Sequence, residues 1–302
     1  MGLLDGKIAV VTGAGRGIGR EEALLLAAKG ATVIVNDVGA SLAGDASGDQ
    51  PAQAVVDEIE AAGGKAATNY DDISSWSGAK GLVDQAVESF GHLDIVVNNA
   101  GILRDRMSFN MEESDWDDVI RVHLKGHFAV SHFAGVYWRS ESKAGRNPSG
   151  RIINTASEAG LYGNVGQANY AAAKAGIASL TWVLARELER FGVTVNAIAP
   201  RARTRMTESA FGAIESGDQG FDPWEPGHIA PAVVWLASDG AAGVTGQIFV
   251  VFGSTVELVE PFKVVSTLDA GARRWEPEEL VQRAPELFGD RLSGLPKFDV
   301  GL

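Results

Sequence analysis

The chain has no cysteine among its 302 residues. Disulfides, thiolate metal sites and a thiol nucleophile are thereby excluded, and a reducing compartment is the natural expectation. Positive charge is also scarce: 26 Lys and Arg stand against 39 Asp and Glu, a formal charge of −13. That balance argues against a nucleic-acid partner or an anionic membrane surface, although a local basic site is compatible with it. No window approaches the roughly 18 consecutive apolar residues of a membrane span. The start, MGLLDGKIAVVTG, has neither a basic n-region nor an apolar stretch long enough for a signal. The expectation is a soluble cytoplasmic protein. What is present is ordinary globular material, 45% hydrophobic and 22% charged, enough for a substantial core.

Residues 7–19, KIAVVTGAGRGIG, carry the first sign of a ligand. A short apolar strand runs into Gly13, Gly15, Gly17 and Gly19, and residues 20–29, REEALLLAAK, form a helix closed by Gly30. That order places backbone N–H groups and a helix N-terminus where a pyrophosphate sits, with Arg16 and Ile18 inside the turn. The spacing is Gly-x-x-x-Gly-x-Gly, and the strand before and helix after distinguish it from an ordinary tight turn. A second apolar strand over 31–36 ends at Asp37. A carboxylate about 20 residues past the glycines bonds the adenosine ribose and repels a 2′-phosphate, which points to NAD. Arg16 pulls the other way, because a guanidinium in the phosphate turn tolerates NADP. A helix cap or loop residue is the plainer alternative for Asp37.

Residues 38–52, rich in Gly, Ser, Asp and Ala, read as an extended surface loop. Beyond it the pattern gives a helix at 53–62, a strand at 65–70, a helix near 79–90 and a continuously apolar strand at 93–97. Asp72, followed by Ile73, suits either the adenine amino group or the cap of the next helix. Asn98-Asn99-Ala100-Gly101 ends the last of these strands with residues that let a nucleoside approach closely. Strands alternating with helices give an α/β fold: a right-handed, doubly wound parallel sheet with helices on both faces and ligands at the carboxyl ends of its strands.

The chemistry is concentrated at 151–174, RIINTASEAGLYGNVGQANYAAAK, which reads as strand, loop and helix. Tyr170 and Lys174 lie one helical turn apart, so an ammonium stands near enough to favour the phenolate. A phenol with a pKa of about 10 is a poor base near neutrality, and the neighbouring cation is expected to lower it. The loop can bring the Ser157 hydroxyl beside the phenol, where it would hold a carbonyl oxygen. Taken alone, Tyr-x-x-x-Lys is common in helices and fits a half-buried tyrosine beside a solvated lysine.

Together, TGAGRGIG at 12–19, NNAG at 98–101, Ser157 and the Tyr170/Lys174 pair resemble the short-chain dehydrogenase/reductase family. The resemblance implies a single Rossmann-type domain of seven parallel strands over residues 1–260. It implies hydride transfer at a nicotinamide, with Ser157 positioning the reacting oxygen and Tyr170 as general acid/base. Lys174 would bind the nicotinamide ribose and lower the phenol's pKa. Main-chain groups near Ile198 and the Thr204 hydroxyl would orient the carboxamide, with Pro200 also at the cofactor and Arg201 in place of the usual glycine. Where the family has a helix asparagine that holds a relay water, this chain has His123, which either keeps that relay or is a structural helix histidine. The face formed by Ile177, Leu180, Val183, Leu184, Glu187 and Leu188 would pack between protomers of a homodimer or homotetramer.

Longer stretches narrow the resemblance. VIVNDVG at 33–39, NNAGILRDR at 98–106, RVHLKGHF at 121–128 and APRARTRMTE at 199–208 are similar to two groups. One is the (3R)-hydroxyacyl-CoA dehydrogenase region of the peroxisomal multifunctional enzyme; the other is the bacterial 17β-hydroxysteroid dehydrogenases of steroid degradation. The implied reaction is NAD-dependent oxidation of a small lipid alcohol, an acyl-CoA or a steroid, with no metal. Two alternatives remain open: an NADPH-dependent 3-oxoacyl carrier-protein reductase, and a dinucleotide-binding sensor or scaffold without catalysis. Hydratase and sterol-carrier regions are not expected, and Val300-Gly301-Leu302 is not a peroxisomal address.

Arg201, Arg203 and Arg205 stand out in an acidic chain, either meeting the phosphates of a CoA thioester or pairing with local acids. Phe211, Ile214, Phe221 and Trp224 form a lid over an apolar substrate or pack locally. A helix at 229–237 and a strand at 246–252 follow. Residues 261–302 form an extension, with a short helix after Pro277, that packs on the domain or on a partner subunit.

Overall fold

A computed structural model of the chain describes residues 2–41, 44, 50–207 and 220–290. Residues 42, 43 and 45–49 of the expected loop at 38–52, and Phe211 and Ile214 of the expected lid, lie outside the described residues.

The apolar runs become strands, all but the two at the sheet edges buried on both faces. These are β1 (Ile8–Thr12), β2 (Thr32–Asn36), β3 (Lys65–Asn69), β4 (Ile95–Asn98), β5 (Arg151–Thr155), β6 (Thr194–Arg201), β7 (Ile248–Phe252) and β8 (Thr255–Val259). The helices are α1 (Gly17–Ala28), α2 (Pro51–Ala61), α3 (Trp76–Phe90), α4 (Glu113–Val119), α5 (Gly126–Lys143), α6 (Glu158–Tyr162), α7 (Ala168–Leu188), α8 (Ala230–Ala237) and α9 (Pro277–Arg283). Because side chains alternate along a strand, β1 sends Ala9 and Val11 to one core and Ile8 and Val10 to the other. The first core is completed by Leu26 of α1, Ile59 of α2 and Val233 of α8, the second by Leu82 of α3, Val130 of α5 and Leu184 of α7. A two-sided core explains why these strands read as unbroken apolar runs.

The sheet order is β3-β2-β1-β4-β5-β6-β7-β8, parallel through β7. Progression along the sheet reverses between β1 and β4, so a crevice opens at their carboxyl ends. The strand count departs from expectation: among the described residues the sheet has eight strands, the eighth, β8, lying antiparallel to β7. Gly253, with φ +52°, and Ser254 form the turn between them, and a glycine makes that backbone accessible. Val256 and Leu258 of β8 are exposed, so no burial pattern announced the strand.

The α7 face also departs from expectation. Ile177, Leu184 and Leu188 are buried within the protomer itself, where α7 packs against β5 and β6, while Val183 is exposed. By Cα proximity the chain divides into two compact units, Met1–Val259 and Glu260–Leu302. Within the second, Arg273 pairs with Glu279 at 2.8 Å and the Arg283 guanidinium lies 5.1 Å from the Trp275 ring centre.

A carboxylate stands in the core on α1. Glu22 of α1 is fully buried with neither carboxylate oxygen hydrogen-bonded, and burial pushes its pKa up to about 8. The folded state therefore holds a proton that the unfolded chain releases near pH 4.5. Its contribution is fully present below pH 4.5 and is lost as pH rises through 8, at a cost on the order of several kcal/mol. Replacing Glu22 by Gln keeps the shape and removes the charge. Denaturant titrations at pH 5 and 9 should show wild-type stability falling and that of Glu22→Gln nearly level.

Candidate active site

Most polar side chains of the site stand just past the end of a strand or near the start of a helix. The glycine turn joins β1 to α1. Gly13 has φ +63°, and a Cβ there would lie 2.7 Å from the Ala100 Cα; Gly17 has φ +55°. Asn99, at the end of β4, locks this turn by donating from Nδ2 to the Thr12 and Gly13 carbonyls, each at 3.1 Å. Gly19 is a packing residue: a Cβ there would strike Asn99 Nδ2 at 2.4 Å, and Gly19 does not line the cavity. Asp37, at the end of β2, accepts from the Gly15 N–H at 3.0 Å and the Gly39 N–H at 2.8 Å. The Arg16 guanidinium donates to the Ala40 carbonyl at 3.4 Å.

A cavity of about 640 Å³ runs from this turn to the 151–174 segment. Gly13, Arg16, Gly17, Ile18, Asp37, Asp72 and Ile73 line it at the nucleotide end. Asn99, Ala100, Gly101, His123, Ser157, Tyr170, Lys174, Pro200 and Thr204 line the remainder. Asp72 does not cap α3; Ser75 does, accepting from the Gly78 N–H at 3.0 Å. Asp72 instead accepts from the Ser74 N–H at 2.9 Å and faces Arg121 at 3.5 Å.

Ser157 begins α6, its Oγ accepting from the Ala159 N–H at 3.2 Å. Tyr170 lies on the first turn of α7 and is half-buried at the cavity wall. Lys174 is buried, donates from Nζ to the Thr155 carbonyl at 2.6 Å and stands 5.6 Å from the Tyr170 ring centre. The expected lowering of the phenol is not found in the protein by itself. Burial pushes Tyr170 up to about 12, against a downward pull from the Ser157 hydroxyl and with a further upward push from the Asp105 carboxylate. Although one edge of the ring faces the cavity, the protein around it is dense enough for desolvation to dominate. Burial also brings Lys174 down to about 7.

His123 is buried in a π-helical turn, Ile120–Lys125, that joins α4 to α5. Its Nε2 lies 3.1 Å from the Ile102 nitrogen and 2.8 Å from the Ile102 carbonyl oxygen, and its ring meets Tyr170 edge-on at 5.2 Å. Burial, then the Lys174 charge, lowers its pKa to about 3, so the ring is neutral. Gly101 makes room for it, since a Cβ there would come within 2.2 Å of His123 Cε1.

The model of the short chain dehydrogenase family matches residues 7–213. The chain belongs to that family. Among other short-chain dehydrogenases it is 51% identical to "Hydroxyacyl-CoA dehydrogenase ChsB1" of Mycobacterium tuberculosis, over 95% of this chain and 90% of that one. It is 44% identical to the peroxisomal multifunctional enzyme type 2 of Mus musculus, over 78% of this chain and 30% of that longer protein. In structure it is similar to a short chain dehydrogenase from Mycobacterium avium, with a TM-score of 0.88 and 51% identity over 98% and 99% of the two chains.

A short-chain dehydrogenase is an oxidoreductase of CH–OH groups and binds a nicotinamide dinucleotide. The residues here fit that group. The first turn of α1 carries no acidic residue to oppose a phosphate, and Gly13 keeps the floor of the turn free of a side chain. Two of the three conspicuous arginines are spoken for. Arg201 meets Glu158 through two hydrogen bonds, of 2.5 and 2.6 Å, and Arg203 pairs with Asp222. Of the expected lid, Phe221 packs on His228 at 4.8 Å and Trp224 on Phe252 at 4.7 Å.

Sequence reasoning missed the residues that brace this short-chain dehydrogenase's site from behind. Asn169 donates to the Arg104 and Asp115 carbonyls at 3.0 and 2.8 Å, and its Oδ1 accepts from the Tyr170 N–H at 2.8 Å. Gln167 donates to Asp105 at 2.8 Å. The available signal was two amides, three residues and one residue before Tyr170, at the start of an alanine-rich helix.

Proposed function

We propose that this short-chain dehydrogenase oxidises the secondary hydroxyl of a (3R)-hydroxyacyl-CoA with NAD, a 17β-hydroxysteroid being the second substrate candidate. The observation that carries the reading is the meeting of Asp37 and the glycine turn with Ser157, Tyr170 and Lys174 in one cavity. Support for the thioester comes from the match along nearly the whole chain to a protein named as a hydroxyacyl-CoA dehydrogenase. The same reading has the enzyme working as a cytoplasmic homodimer or homotetramer. Initial rates of the purified enzyme with NAD decide between substrates: turnover of hydroxysteroids and none of hydroxyacyl-CoA would overturn the first choice.

When bound, the oxidised nicotinamide supplies the hydride acceptor and a nearby positive charge. Asp37, fixed by the Gly15 and Gly39 N–H groups, offers its carboxylate to the adenosine ribose and disfavours a 2′-phosphate. Ser157 holds the substrate oxygen, and the Tyr170 oxygen takes the alcohol proton as the C–H hydride leaves. Lys174 anchors the ribose and orients the phenol.

The raised Tyr170 pKa sets the sign of the pH dependence. Oxidation consumes the phenolate, so its rate climbs with pH below the phenol's pKa; ketone reduction consumes the phenol and stays level until the pH nears that pKa. kcat/KM measured in both directions from pH 6 to 10 checks this, and parallel profiles would contradict it.

A further inference from the structure

Among the described residues, Arg16, Arg104, Arg121 and Arg205 line the cavity, in a chain whose formal charge is −13. Two of them find acceptors inside the protein. Arg16 donates to the Ala40 carbonyl, and Arg121 donates to Asp118 at 3.1 Å and also to Ser74. The guanidinium groups of Arg104 and Arg205 make no hydrogen bond to any described residue. Arg104 Nε is buried without a partner, and its Nη2 stands 3.5 Å from Asp118, beyond the roughly 2.7–2.9 Å of a charge-assisted bond. Asp118 is already held by Arg121, so one carboxylate is shared by two guanidinium groups. Arg205 is exposed and faces no carboxylate among the described residues.

Fixed backbone presents both arginines. Arg104 follows β4; its carbonyl accepts from Asn169 Nδ2 at 3.0 Å, and two residues on, the Arg106 N–H donates to the Gly166 carbonyl at 2.8 Å. Arg205 follows β6 in a turn closed by Thr207, whose Oγ1 accepts from the Thr204 N–H at 2.7 Å and donates to the Ala202 carbonyl at 2.8 Å. In the sheet, β5 lies between β4 and β6 and leads directly into Ser157, which holds the substrate oxygen in the proposed reaction. The two arginines therefore come from the strands on either side of the one that leads to the reacting end of the substrate.

A guanidinium carries five N–H donors in a planar fork that matches a phosphate. The pyrophosphate of the dinucleotide belongs to the glycine turn at the nucleotide end of the cavity. A hydroxyacyl-CoA brings a second set of phosphates, a diphosphate and a 3′-phosphate, separated from the reacting carbon by the pantetheine arm. An acidic protein repels such a polyanion unless cations stand where it docks. We propose that Arg104 and Arg205 each take a phosphate of the CoA nucleotide and so set the preference for a CoA thioester over a shorter one. The inference rests on the reading of the substrate as a hydroxyacyl-CoA.

The test compares wild type, Arg104→Ala and Arg205→Ala on a hydroxyacyl-CoA and on the same acyl group carried by N-acetylcysteamine, which lacks the nucleotide, with dinucleotide affinity titrated separately. Each variant should lower kcat/KM for the CoA thioester about tenfold, with kcat/KM for the truncated thioester and dinucleotide affinity within about twofold of wild type. Arg205→Lys should recover part of the loss, since an ammonium keeps the charge without the fork. An unchanged kcat/KM for the CoA thioester in either variant overturns the pair. An equal loss on the truncated thioester also overturns it, because the arginine then serves the acyl end or the packing. Dinucleotide binding weakened by the same factor does so too, since the phosphate met is then the cofactor's. Should Arg104→Ala fail to fold, Arg104→Gln takes its place under the same criteria. Wild-type turnover of neither thioester would end the hydroxyacyl reading and this inference together, whereas thioester turnover that the substitutions leave unaltered ends this inference alone.

Discussion

Replacing Tyr170 by Phe should lower kcat by about a thousandfold or more while leaving dinucleotide binding within a few-fold. The substitution removes one oxygen and keeps the ring that packs edge-on against His123 at 5.2 Å, so the wall of the site stays in place. What is lost is, among the described residues of the cavity, the one group proposed to take the alcohol proton beside Ser157. Ser157 Oγ is already used as an acceptor at the start of α6, and His123, lowered to about 3, is too weak a base. Lys174, brought to about 7, donates to the Thr155 carbonyl and faces away from that task. Single-turnover rates with fluorescence titration of the reduced dinucleotide separate chemistry from binding. A variant retaining a tenth of wild-type kcat would remove Tyr170 from the proton transfer and with it the proposed mechanism.

Asp37→Ser is expected to move cofactor preference. Wild type should use NAD over NADP by a factor of about a hundred or more, since a 2′-phosphate would be set against a fixed carboxylate at the end of β2. The carboxylate cannot simply swing aside, because the Gly15 and Gly39 N–H groups hold both of its oxygens. The serine should lower kcat/KM for NAD by about tenfold or more through loss of charge-assisted hydrogen bonds, and raise it for NADP with Arg16 nearby. Ratios of kcat/KM for the two cofactors measure the change. Equal use of both by wild type would show that Arg16 outweighs Asp37.

Much of this was open to a reader of residues alone, for reasons tied to particular segments. The parallel strands were legible because burial on both faces leaves unbroken apolar runs, as in residues 8–12 and 95–97. The glycine turn was legible because only glycine serves at Gly13, where φ is +63° and the Ala100 backbone crowds in. β8 was not, since a strand open to solvent has no buried alternation to display. The α7 face could not be divided either: helical spacing identifies an apolar stripe but not whether this protomer or another surface covers it. Arg201 and Arg203 read either as phosphate ligands or as a solvated or acid-paired face, and only folding brought Glu158 and Asp222 to them, 43 and 19 residues away.

The family and the order of its elements, with the side chains available for chemistry, are written in the residues themselves, because local spacing and strand-turn-helix patterns determine them. The protonation of those side chains was decided only in three dimensions. Tyr170 is one turn from an ammonium in sequence terms, yet dense packing around it raises the phenol to about 12 and lowers Lys174 to about 7. Desolvation depends on how much protein surrounds a group from every side, and most of those neighbours come from distant parts of the chain.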